Sequence, residues 1–135
     1  MASPGYEEVD HTADIALRVW GKDLQTFLEQ AAEGMYDLVG IEFAPDSSID
    51  ITFDLQQGPS ETILVDFLSE LLYLLEERAQ VFHTFSFDIG TDQISIRAIC
   101  SKVLSIDRHI KAVTFHNLNI EKTAKGLEAT ITFDV

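Results

Sequence analysis

The chain is poor in the features from which a function is most easily read. Its one cysteine, Cys100, excludes an internal disulfide framework and a cysteine-built zinc site. Its glycines, at 5, 21, 34, 40, 58, 90 and 126, are too scattered for a phosphate-cradling loop. There is no Gly-x-Ser-x-Gly elbow, and His11, His83, His109 and His116 lack metalloprotease spacing. Nothing resembles a local catalytic triad. The longest run of large apolar residues, Leu71 to Leu75, falls far short of the roughly 20 residues that span a bilayer. Met1 to Asp14 carries neither the basic nor the apolar region of a secretory leader, so a reducing cytoplasm and no membrane partner are expected. Basic residues are scarce too: 9 against 23 acidic ones, a formal net charge of −14. That field repels a phosphate backbone, so nucleic acid is expected only indirectly, through a basic partner protein.

What is present is a chain of 135 residues, 46% of them apolar, which is the size and composition of one domain with a real core. Leu24, Phe27, Leu28, Ala31, Met35, Leu38 and Val39 recur at helical spacing, with Asp23 placed as N-cap and Gly40 as the C-terminal stop. A second helix is predicted after Gly58-Pro59-Ser60, running to about Ala79. It is apolar around most of its girth, as a buried central helix should be. The rest alternates at period two. Ile15 to Trp20, Ile49 to Leu55, Val81 to Ile89, Gln93 to Cys100, Ile110 to Glu121 and Leu127 to Phe133 read as strands. Gly90-Thr91-Asp92 and Lys125-Gly126 read as tight turns between them. Short connections between strands favour a single α+β domain over residues 1–135, with mostly antiparallel sheet and two main helices. Cys100 falls in register with Ile94, Ile96 and Ala98 and reads as a packed core residue.

Two acidic segments stand apart from this pattern. His11-Thr12-Ala13-Asp14 places a carboxylate at the mouth of the strand from Ile15, and Phe133-Asp134-Val135 places another at the end of the last strand. Read alone, the first is a turn whose aspartate caps backbone amides, and the second an exposed aspartate at a strand end. Brought together, Asp14, Asp134 and the chain around Val135 would offer the all-oxygen surroundings that a hard divalent cation takes. Ile110-Lys111-Ala112-Val113-Thr114-Phe115-His116 is a third polar-studded strand. If it is regular, Lys111 and His116 lie on opposite faces and join one site only across a bulge.

These three segments, in this order and with a strand and an amphipathic helix after the first, resemble the archease family over almost the whole chain. Archeases are small acidic proteins that assist the tRNA-splicing RNA ligase, which guanylylates its own active-site histidine before joining RNA ends. The resemblance implies a protein cofactor, not an enzyme, that promotes this guanylylation and multiple turnover. It also implies a bound divalent cation, calcium first among the candidates, held by Asp14, Asp134 and the main-chain oxygen of Val135. Lys111 falls in the family's lysine-bearing strand, and His11 and His116 are further functional candidates. A general chaperone or modulator of tRNA-modifying enzymes such as methyltransferases is the alternative. A metal-dependent hydrolase using the same carboxylates is the third reading, disfavoured because no base or nucleophile is positioned.

Overall fold

A computed structural model describes residues 3–9 and 14–135 of the chain. Its first helix, α1 (Leu24–Val39), begins where the Asp23 side chain accepts a hydrogen bond from the Thr26 amide at 2.8 Å. It ends where Gly40 turns left-handed at φ 70° and donates to the Tyr36 carbonyl at 3.0 Å. Both end groups satisfy backbone that a helix otherwise leaves unpaired. The second helix, α2 (Ser60–Arg78), has Pro59 at its start and no side-chain cap. It stops at Ala79, which takes the left-handed conformation at φ 51° without being glycine. Its cohesion comes from burial: Ile63, Leu64, Phe67, Leu68 and Leu71 are almost wholly removed from solvent.

Among the described residues, eight strands complete the α+β fold: β1 (Gly5–Val9), β2 (Ile15–Gly21), β3 (Ile41–Gln56), β4 (Gln80–Ile89), β5 (Gln93–Ile106), β6 (Ala112–Thr114), β7 (Glu121–Thr123) and β8 (Gly126–Asp134). They form two antiparallel sheets, one in the order β1-β2-β8-β6 with β7 also on β8, the other in the order β3-β5-β4. Both helices touch strands of both sheets, so the core is a layer shared among them. At its centre Phe67 of α2 meets Phe53, Phe85 and Phe87, with ring centroids 6.4, 5.5 and 5.9 Å apart. Cys100 is fully buried here, and burial pushes its thiol up to about 12, away from thiolate chemistry.

The structure corrects three expectations. β1 had no period-two signature, because Glu7 and Glu8 face solvent and the strand rests on pairing with β2. β3 starts at Ile41, well before the expected segment, and passes through Pro45-Asp46-Ser47-Ser48. There its register against β5 shifts between Ala44 and Ile49, and the Ser47 hydroxyl takes a hydrogen bond from the Lys102 amide at 2.8 Å. The run from Ile110 to Glu121 is not one strand but two short ones, β6 and β7. Between them the Leu118 amide donates to the Phe115 carbonyl at 3.0 Å and Asn117 sits at φ 53°, a turn that ends the ladder. At the β7–β8 turn Gly126 has φ 102°, and a Cβ there would lie 2.3 Å from the Gly21 carbonyl oxygen. Only glycine fits that approach.

Candidate functional site

β8 is the pivot of the first sheet, with β2 along one side and β6 along the other near its end. The β2–β8 register closes with Ile15 opposite Phe133. Asp14 and Asp134 are the next residues beyond that pair, Asp14 already in a bend outside the ladder. Directly opposed residues in an antiparallel pair have Cα atoms about 4.5–5.5 Å apart. Ile15 is half-buried and Phe133 buried; a ladder continued by one residue would set Asp14 and Asp134 on the opposite face. On the other flank Ala112 pairs with Asp134, and the Lys111 amide donates to the Asp134 carbonyl at 2.8 Å. The Lys111 main chain thus closes the strand end that carries Asp134.

Asp134 and Val135 are exposed and Asp14 is half-buried, so the pair sits at the rim of the core. Two like charges facing each other across a ladder repel. A divalent cation removes that cost, and its preference for carboxylate and carbonyl oxygen suits the donors present. Among the described residues no three or more His, Cys, Asp or Glu side chains gather into a metal cluster. A cation here would therefore draw on main-chain oxygen and water besides the two carboxylates.

The remaining candidates fall differently. His11 lies outside the described residues. His116 lies in the turn after β6, beyond Thr114, which pairs with Thr132; the chain there has run away from Asp134. Its amide is held by the Thr114 hydroxyl at 3.3 Å and its ring by the Asn117 side chain at 3.3 Å. The fold keeps Lys111 with Asp134 and separates His116 from both. Lys111 also lines a cleft of about 320 Å³ with Tyr73, Glu76 and Glu77 of α2. Another cavity, of about 420 Å³, lies between α1 and the second sheet. No motif announced it, since Tyr36, Phe43 and His83 come from three separate elements and read singly as core or strand residues.

The comparison with known proteins is decisive for the family. Residues 6–135 match the model of the Archease protein family. The chain belongs to the archease family. It is 36% identical to the archease of Methanosarcina barkeri and 34% identical to that of Methanosarcina acetivorans, in each case over the full length of both proteins. The archease-like protein of Dictyostelium discoideum is 29% identical over 96% of this chain and 93% of its own. The fold is that of Methanobacterium thermoautotrophicum protein 1598, at a TM-score of 0.72 and 24% identity over 97% of this chain and 99% of the other. It is also that of a Thermotoga maritima archease described as a possible chaperone, at a TM-score of 0.71 and 20% identity over 100% and 98% of the two chains.

Proposed function

We propose that this archease activates the tRNA-splicing RNA ligase, promoting its guanylylation and multiple turnover in the cytoplasm through a divalent cation held at the end of β8. What supports the reading is family membership together with one observation: the β2–β8 ladder ends with Ile15 opposite Phe133, the residues next to Asp14 and Asp134. Asp14, Asp134 and the main-chain oxygen of Val135 hold the cation, with calcium favoured because it accepts a loose shell of oxygen donors and water. When bound, the cation supplies positive charge to nucleotide phosphates in the ligase cleft. The chain's own contribution is placement. The two aspartates fix that charge at an exposed tip, and Lys111, exposed beside it, adds a second cationic group. The net charge of −14 steers the protein towards a basic nucleotide-binding cleft and away from free RNA, so tRNA is met only through the ligase.

The protein performs no reaction of its own in this account. The test is multiple-turnover ligation with and without substoichiometric archease. Ligase turnover rises in its presence, and the protein alone leaves RNA and nucleotides unchanged. The description of the Thermotoga maritima protein as a possible chaperone favours a second reading, in which unrelated clients such as tRNA methyltransferases are stabilised without metal. Full stimulation in the presence of a chelator would select that reading.

A further inference from the structure

The 420 Å³ cavity between α1 and the second sheet combines two chemistries. One wall is a row of carboxylates, Glu29, Glu33 and Asp37, spaced four residues apart along one face of α1. Like charges at that spacing destabilise a helix. Each accepts only from a neutral neighbour: Glu29 from Gln25, Glu33 from Gln30 and Asp37 from the Tyr6 hydroxyl. The ion pairs among the described residues, Arg97 with Asp50 and His109 with Glu76, lie on other elements. The floor is apolar, made by Val81, Phe82 and Phe85 of β4 with Phe43 of β3. Phe43 is 39% exposed, and its ring stacks on His83 with centroids 5.7 Å apart.

Tyr36 supplies a third, independent observation. It lines the cavity yet is only 9% exposed. Its hydroxyl oxygen accepts the Phe82 amide at 3.1 Å, while its own proton has no acceptor among the described residues. A hydroxyl that already accepts one hydrogen bond keeps a donor for which a carbonyl is the natural partner.

We propose that this groove binds a basic, apolar segment of a partner protein, its Arg or Lys side chains set along Glu29, Glu33 and Asp37 and its apolar side chains on Ile41, Phe43 and Phe85. Charge complementarity chooses the occupant. A second copy of this chain also carries −14, and nucleic acid and anionic membrane surfaces are repelled by the same wall. A cationic segment relieves the repulsion along α1, and its main chain offers Tyr36 the missing acceptor. The site shares no residue with the Asp14–Asp134 end and does not depend on a metal.

The test is a titration of the isotope-labelled full chain, followed by amide NMR, with a synthetic hexapeptide alternating Arg and Leu. Saturable shifts are expected at Val81 to Phe85, at Phe43 and along the Glu29–Asp37 face. Peptides alternating Arg with Ser, or Glu with Leu, should bind at least about five-fold more weakly, as expected when either the apolar anchors or the charges are removed. The Glu29→Gln, Glu33→Gln double variant should lose affinity similarly. Asp54→Asn with Asp88→Asn, which removes the same charge from the exposed second sheet, should not. Shifts scattered over the acidic surface, equal binding of the Arg-Ser peptide, equal weakening by the two double variants, or no binding would each overturn the proposal. So would a single-stranded RNA oligomer that shifts the groove residues.

Discussion

Phe67 on α2 has Phe53, Phe85 and Phe87 around it, all contributed by the second sheet, and is fully buried. Asp134, at the end of β8 in the first sheet, is exposed, and Asp14 is the residue just before the β2 end of the same ladder. The first region is what apolar surface does when it leaves water. Close-packed rings give each side chain many weak contacts and a large share of the hydrophobic stabilisation. The second region contributes little to folding and carries a repulsion that a sequence selected for stability alone would relieve. Stability and chemistry are therefore housed apart, and the core can hold two strand ends against their own charges. The comparison makes definite demands.

The largest effect belongs in the core. Phe67→Ala should cost about 3–5 kcal/mol, through lost burial and an unfilled space beneath the second sheet. Equilibrium denaturation by urea measures it, and a loss below about 1 kcal/mol would show that the aromatic layer is not the main source of stability. Next comes the start of α1, where Asp23→Ala should cost about 1 kcal/mol by removing the cap on the Thr26 amide. That cap also gives stability a pH dependence. The hydrogen bond from the Thr26 backbone holds the Asp23 carboxyl below the usual aspartate range in the folded state. Its contribution is present at neutral pH, declines as pH falls below the ordinary value of about 3.9, and is gone below the depressed native value. The difference in stability between parent and Asp23→Ala should shrink over that acidic window and stay constant from pH 5 to 7.

The smallest effects on stability belong at the strand ends. Asp14→Ala and Asp134→Ala, each in metal-free buffer, should change stability by no more than about 0.5 kcal/mol. The sign should lean towards stabilisation, since one of two opposed charges is gone. A loss of several kcal/mol from either would place the aspartates in the structural account and erase the contrast. Lys111→Ala should also leave folding intact. It should lower ligase stimulation without preventing calcium binding, because an ammonium group is not a ligand for a cation.

Much of the framework was legible wherever one residue type has one physical reason. Asp23 and Gly40 fixed both ends of α1, and the girth of apolar residues marked α2 as buried. Gly90-Thr91-Asp92 marked the β4–β5 turn, where the Gly90 amide donates to the Gln93 carbonyl at 2.9 Å. What escaped depends on partners distant in sequence. β1 exists because β2 offers it an edge, and β3 reaches back to Ile41 because Ile41 to Ala44 pair with β5. Around Phe115 the alternating pattern misled, since Asn117 can turn left-handed and ends the strand that Ile110 to Thr114 begins. At the candidate site, Asp14 and Asp134 were legible as residues at strand mouths, but their juxtaposition needed the β2–β8 register. Lys111 and His116 needed the turn that separates them. The groove on α1 was not legible at all, because its floor and its wall come from elements that only the tertiary packing brings together.

The account's central claim is that the Asp14–Asp134 pair holds a divalent cation and that this cation is what stimulates the ligase. Calcium titration by calorimetry and multiple-turnover ligation, run on the parent, Asp14→Ala and Asp134→Ala, test it together. The parent should bind calcium and raise ligase turnover, while each variant, folded by circular dichroism, should lose both. Variants that bind no calcium yet stimulate the ligase like the parent would contradict it.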